Sequence, residues 1–223
     1  MVAFILFLLF GITVFSLSLV GYKKFKATAL YALAIGGVVN ANFFHAGAYP
    51  VDCFGLPFGI DSLIYTLFAF CVMVTLLHET KKSAYLLAAS SIIAILFSAC
   101  MQLVAELFTL GSTSEVWKTF ATFLISAGAS VIAVIVAVEI IDRLQGKCNV
   151  YLRMMIGIVM ITVLNSCIYC PLTMLINTLP DQIWLYLAAS FIGKLIALGY
   201  SVLTLFFMEQ KEKRLKKEQI NNK

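Results

Sequence analysis

The sequence has few charged residues, few prolines and few histidines for its length. Of its 223 residues 12% are charged, four are proline and two are histidine. Soluble domains carry roughly 25% charged residues, so this charge content excludes an ordinary soluble domain. The composition is 62% hydrophobic, and its one long hydrophilic block lies at the carboxyl end. We predict one integral membrane domain, residues 1–210, followed by a basic cytoplasmic tail, residues 211–223.

Sequence motifs for hydrolytic chemistry are also absent. The chain has no GxxxxGKS or GxxxxGKT loop, no HExxH, no GxSxG and no pair of carboxylates poised within the apolar segments. Most of its six cysteines fall inside apolar segments, where cysteine behaves as a small hydrophobe. The single CxxC pair, Cys167 and Cys170, has no second cysteine pair beside it. We therefore predict neither an enzyme, nor a cofactor, nor a metal site.

What the sequence does contain is a series of long apolar segments. A helix needs about 20 apolar residues to cross a hydrocarbon core roughly 30 Å thick. Seven segments meet this length: 2–21, 28–47, 58–78, 84–110, 116–141, 152–178 and 183–208. The fold class predicted is an all-α, polytopic membrane helical bundle of about seven transmembrane helices. The first segment lacks a charged region before it and an A-x-A-like cleavage site, so we expect a retained helix.

The basic residues are concentrated in alternate loops of this bundle. Fourteen of the sixteen lysines and arginines lie on one side, and the opposite loops hold Lys118 alone. The positive-inside rule then predicts a plasma-membrane protein with its amino terminus outside and its carboxyl terminus in the cytoplasm. The same rule accounts for the net charge of +5, so the lipid bilayer, and no nucleic acid, is predicted as a partner.

The remaining basic residue, Lys194, lies within the last apolar segment. It is ten residues beyond Trp184, or about 15 Å along a helix, which is near the membrane midplane and too deep for snorkelling. Asn165 is near mid-depth in the sixth segment, with Thr162 one turn earlier. A polar side chain at this depth must find a partner or line a cavity. We therefore consider these residues a candidate binding site, with structural interhelical bonding as the alternative.

Two other helices supply further polar residues at membrane depth. The second segment carries Asn40 and Asn42, and the fourth carries Gln102 and Glu106 one turn apart. Glu106 is the leading candidate for the counter-ion of Lys194. The fifth segment carries a stripe of small residues that favours close helix packing or a docked partner subunit. The stripe comprises Ser126, Ala129, Ser130, Ala133 and Ala137.

Several stretches resemble one membrane-protein family. Residues 51–84, "VDCFGLPFGIDSLIYTLFAFCVMVTLLHETKKSA", contain an FG turn, a span with a tyrosine and a closing basic element. "YKKFKATALYALA" leads into the asparagine-bearing second span, "YLRMMIG" precedes the sixth, and "FIGKLIAL" carries a midplane lysine. In these features the chain resembles the queuosine-precursor transporter family, also called the vitamin uptake transporter family. The resemblance covers most of the chain in order.

The resemblance implies a transporter that imports a small hydrogen-bonding heterocycle, a queuosine precursor of the 7-deazapurine type. The resemblance and the depth argument together imply a set of substrate-binding residues. They are Lys194, Asn165, Asn40, Asn42, Thr162 and Tyr65. The chain departs from the family pattern at several polar positions, which here are Met73, Leu77, Val136, Glu139, Thr162 and Asn165. Two alternatives therefore stay open: a substrate-capture subunit of an ATPase-energised vitamin importer, and a non-transporting membrane scaffold. A homodimer or a partner subunit is compatible with each.

Overall fold

The protein is described here from a computed structural model covering residues 2–46, 51–53, 56–58, 60–110, 113–177 and 183–221. Within these ranges the chain forms seven helices and one short hairpin. The helices are α1 (Val2–Phe25), α2 (Ala27–Ala46), α3 (Ile60–His78), α4 (Lys81–Leu110), α5 (Thr113–Arg143), α6 (Val150–Ile176) and α7 (Ile183–Asn221). The predicted helical bundle is confirmed, since each of the seven predicted segments falls on one helix.

The hairpin between α2 and α3 was not predicted. Its strands, β1 (Val51–Cys53) and β2 (Leu56–Phe58), pair antiparallel with Val51 opposite Phe58. The third apolar segment was predicted to begin at residue 58, but Phe58 belongs to β2 and the helix begins at Ile60. The boundary was wrong because Leu56 and Phe58 are apolar and therefore extended the hydrophobic run across the turn.

Four helices are long and apolar enough to cross a membrane, judged over the described residues. They are Lys81–Phe108, Val116–Arg143, Val150–Ile176 and Tyr186–Thr204. α2 and α3 add shorter apolar stretches, Ala27–Ala41 and Ser62–His78. The protein is thus a membrane-embedded helical bundle, and the number of about seven crossings stays a prediction.

Local backbone chemistry ends or begins several helices. Lys26 separates α1 from α2 and has a φ of 55°, in the left-handed region that stops a right-handed helix. The Thr80 hydroxyl accepts a hydrogen bond from the Ser83 amide at 3.0 Å and so caps α4. The Asn149 side chain likewise accepts from the Tyr151 amide at the start of α6.

α3 lies at the centre of the bundle. Its residues from Ser62 to Thr75 are buried on every side, as expected for a helix that is apolar all round. It packs against α2, α6, α7 and α4. Gly157 of α6 permits the closest approach, because a Cβ atom there would lie 2.1 Å from the Met73 sulfur.

The small-residue stripe of α5 is used inside the chain. Ala129, Ala133 and Ala137 are fully buried, and α5 packs most extensively on α6 and α4. The prediction of close helix packing is therefore confirmed. The suggestion that this stripe docks a partner subunit is wrong, because the surface is already covered by the chain's own helices.

α7 continues well beyond its apolar part. It has 39 residues and is therefore about 58 Å long, nearly twice the hydrocarbon thickness. The apolar span ends at Thr204 and the helix runs on to Asn221. The predicted tail is thus helical from 211 to 221 and continuous with the membrane domain, without a break at residue 210.

Candidate functional site

The ammonium of Lys194 lies at the interface of α6 and α7 and is almost completely buried, with 6% of the residue exposed. It donates to three oxygens of α6. The Nζ atom is 2.5 Å from the Ser166 hydroxyl, 3.4 Å from the Asn165 side-chain oxygen and 3.5 Å from the Thr162 carbonyl oxygen. The buried ammonium thus donates to neutral oxygens of the neighbouring helix.

Hydrogen bonds extend from this centre to α5 and along α7. The Asn165 amide nitrogen donates to the Ser130 hydroxyl on α5 at 3.1 Å. The Ser166 and Ser190 hydroxyls are 3.2 Å apart across the α6–α7 interface. We call the five side chains Ser130, Asn165, Ser166, Ser190 and Lys194 the Lys194 network. It joins three helices through side chains that exchange hydrogen-bond partners readily, since amides and hydroxyls both donate and accept.

Helical spacing explains why these side chains meet. On α6, Thr162, Asn165 and Ser166 are three and four residues apart and share a face. On α7, Ser190 lies one turn before Lys194. α6 and α7 are adjacent in the bundle, and the polar turn of one helix faces the polar turn of the other. The apolar surroundings strengthen these bonds relative to water.

Three of the six predicted site residues are brought together in this way. Lys194 and Asn165 contribute side chains, and Thr162 contributes its backbone carbonyl. The Thr162 hydroxyl donates to the carbonyl of Ile158, 2.8 Å away on its own helix. That these residues bind a substrate stays a prediction.

Tyr65 contacts a serine of α5 that lies one helical turn from the network residue Ser130. It is a largely buried residue of α3, and its hydroxyl contacts the hydroxyl of Ser126 on α5. Ser126 precedes Ser130 by four residues, so both serines lie on the same face of α5. The polar interior therefore includes α3 through this tyrosine.

Asn40 of α2 does not join the network in the described structure. Asn40 is exposed, and its amide donates to the carbonyl of Gly36 on the same helix at 2.7 Å. α2 packs mainly on α3, α4 and α1. The predicted role of Asn40 in substrate binding stays a prediction. The backbone of Asn42 is helical, and its side chain lies outside the described part of the structure.

The predicted counter-ion of Lys194, Glu106, lies on α4. Glu106 accepts a hydrogen bond from Gln102, 2.8 Å away on α4. α7 packs mainly against α6, α3 and α1, and α4 packs mainly against α5, α2 and α3. The pairing of Glu106 with Lys194 stays a prediction.

Ser166 and Ser190 are network residues that the predicted site did not include. Ser190 occurs in "AASFIGK", four residues before the buried lysine. A small hydroxyl residue one turn from an intramembrane charge is a usable signal, because i and i+4 residues lie side by side on a helix. Ser130 was recognised only as a packing residue, since it belongs to the small-residue stripe.

A second charged cluster connects one end of α4 to one end of α5. The Lys81 ammonium is 2.9 Å from the Glu139 carboxylate and 3.0 Å from that of Asp142. The Tyr85 hydroxyl donates to Glu139 at 2.8 Å. These charged side chains are about 35–43% exposed, so the cluster reaches water. The cluster links the two helix ends through these bonds and is separate from the Lys194 network.

Comparison with known proteins gives no assignment for this site. The sequence matches no family model, no curated protein and no solved structure.

Proposed function

We propose that the protein is a plasma-membrane transporter that imports a small, flat, hydrogen-bonding heterocycle. By sequence resemblance, the substrate is a queuosine precursor of the 7-deazapurine type. The Lys194 network is the proposed binding site. In the proposed topology the amino terminus lies outside the cell and the carboxyl terminus lies in the cytoplasm.

The observation that carries this proposal is the burial of Lys194 against three oxygens of α6. Ser130 of α5 and Ser190 of α7 are hydrogen-bonded to the same α6 side chains. Intramembrane charge is costly, and in membrane proteins it marks functional sites more often than structural ones. Transporters commonly bind substrate between helices near the midplane. Uniform apolar packing would stabilise the bundle without such a charge, so its retention favours a binding role.

The chemistry of the network suits the edge of a heterocyclic base. Lys194 would donate to an oxo group or a ring nitrogen. Asn165 offers a donor and an acceptor side by side, which complements the amide-like edge of a deazaguanine. The hydroxyls of Ser166 and Ser190 can take either role. Substrate would replace hydrogen bonds within the network one by one, so the polar groups would stay satisfied during binding.

Uptake by reconstituted vesicles tests the proposal. Vesicles containing the purified full-length chain would be supplied with radiolabelled 7-deazaguanine and a panel of purines, pteridines and vitamins. We expect uptake of a deazapurine without any other protein, and at least a tenfold loss of uptake in Lys194→Ala and Asn165→Ala. Lys82→Ala is the matched control, because Lys82 is exposed at the start of α4.

The alternatives predict different results in the same assay. A substrate-capture subunit would bind a panel member but show no uptake until its ATPase partner is added. A scaffold would neither bind nor transport any member of the panel. Native uptake by correctly inserted Lys194→Ala and Asn165→Ala variants would overturn the site assignment.

A further inference from the structure

The hydroxyl of Thr173, on α6, lacks a hydrogen bond that several other helical threonines make. Thr173 is 1% exposed, and its hydroxyl oxygen has no hydrogen-bond partner among the described residues. Helical threonines often donate to the carbonyl four residues earlier. In this chain that bond is made by Thr13, Thr66, Thr75, Thr122 and Thr162. Unlike these five, Thr173 has a fully buried hydroxyl that makes no such bond.

The backbone around Thr173 is firmly held. Its carbonyl oxygen accepts from the amide of Asn177 at 3.0 Å and from the Asn177 side chain at 2.9 Å. Asn177 is the carboxyl cap of α6, so these bonds fix the last turn of the helix. The unpartnered hydroxyl of Thr173 therefore lies in a helical turn whose backbone carbonyl is itself hydrogen-bonded.

Thr173 lies on the same face of α6 as the Lys194 network. It is seven residues beyond Ser166 and eleven beyond Thr162, and at about 100° per residue these three positions lie within about 40° of one another. The Ser166 and Thr173 positions are about 10 Å apart along the helix. Ser166 faces α7 through Ser190 and Lys194. The polar face of α6 therefore continues from the network towards the carboxyl end of the helix.

A buried hydroxyl without a partner loses its hydration and gains nothing in exchange, unless a ligand supplies the missing bond. From these observations we infer that Thr173 is a second contact for the substrate, binding the end of the molecule that lies farther from Lys194. This inference rests on the proposed transport function and extends it. The substrate is then a molecule with polar groups at both of its ends.

The test compares ligand binding with the stability of the ligand-free protein. Thr173→Val removes the hydroxyl at nearly constant volume, and Thr173→Ser retains it. Thr75→Val is the matched control, because Thr75 is fully buried on α3 and its hydroxyl donates to the Cys71 carbonyl. Each purified full-length variant would be titrated with 7-deazaguanine and the same panel, and ligand-induced thermal stabilisation would give the dissociation constant.

We expect Thr173→Val to weaken binding of the best panel member about three- to tenfold, the effect of one neutral hydrogen bond. The ligand-free melting temperature should be unchanged or higher, because the variant removes an unsatisfied polar group. Thr173→Ser should bind as tightly as the wild type, and Thr75→Val should leave the dissociation constant unchanged.

Two outcomes overturn the inference and are distinguishable from each other. If a ligand binds the wild type and loses affinity in Lys194→Ala, but binds Thr173→Val normally, the contact at Thr173 is refuted and the proposed site survives. If no panel member binds the wild type, the proposed function and the Thr173 contact fail together. A lower ligand-free melting temperature in Thr173→Val with unchanged affinity would assign the hydroxyl a structural role.

Discussion

The Lys194 ammonium and the Ser166 hydroxyl are 2.5 Å apart across the α6–α7 interface. This contact joins a charge near the membrane midplane to the face of α6 that also carries Asn165 and the Thr162 carbonyl. The serine also donates to Thr162 and contacts Ser190, so it is the most connected hydroxyl of the network.

Ser166→Ala should therefore weaken both substrate uptake and the α6–α7 interface. Removing the hydroxyl takes one of its acceptors from a buried ammonium, which costs about 1–3 kcal/mol. We expect a lower melting temperature and a fall in uptake. Ser91→Ala is the control, since the fully buried Ser91 donates to the Leu87 carbonyl of its own helix. Equal effects of the two substitutions would contradict the special role of Ser166.

Gly157→Ala should destabilise the bundle, because the added Cβ would meet the Met73 sulfur at 2.1 Å. Overpacking of this kind costs about 1–3 kcal/mol. Thermal unfolding of the purified protein measures the loss. Gly128→Ala is the control, since a Cβ at Gly128 meets nothing within 4 Å.

A second substitution distinguishes this steric effect from a backbone effect. Met73→Ala removes the side chain that the new Cβ would strike, so it should make the Gly157→Ala substitution less costly than in the wild-type background. If Gly157→Ala costs the same in both backgrounds, the close contact between α3 and α6 is not the reason for the glycine.

Lys81→Met should have a small and salt-dependent effect on stability. Lys81 bonds to Glu139 and Asp142 in a cluster that reaches water, and exposed ion pairs contribute about 1 kcal/mol or less. We expect a modest decrease in melting temperature at low salt that diminishes as salt screens the wild-type pairs. Lys82→Met should show no decrease. A salt-independent loss would contradict the electrostatic explanation.

The sequence predicted the helices, because they follow from hydrophobic length. Lys194 stood out as a charge within an apolar segment, and Thr162 and Asn165 stood out by their helical spacing. The sequence could not show that Asn40 lies away from the network, because α2 is apolar all round and no hydrophobic face indicated which way its polar residues point. Ser190 escaped notice because its contact with Ser166 depends on the register between two antiparallel helices.

The hairpin β1–β2 illustrates a different limit. Its apolar residues continue the hydrophobic pattern of α3, because one residue separates Phe58 from Ile60 in the sequence. A hydropathy window therefore merges strand and helix, and only the tertiary structure separates them.

The central claim is that Lys194 binds the substrate. Uptake of radiolabelled 7-deazaguanine by vesicles containing wild-type protein, Lys194→Ala or Lys82→Ala tests it most directly, with insertion verified for each variant. We predict uptake by the wild type and Lys82→Ala, and at least a tenfold loss in Lys194→Ala. Native uptake by Lys194→Ala, or no uptake of any panel member by the wild type, would contradict the account.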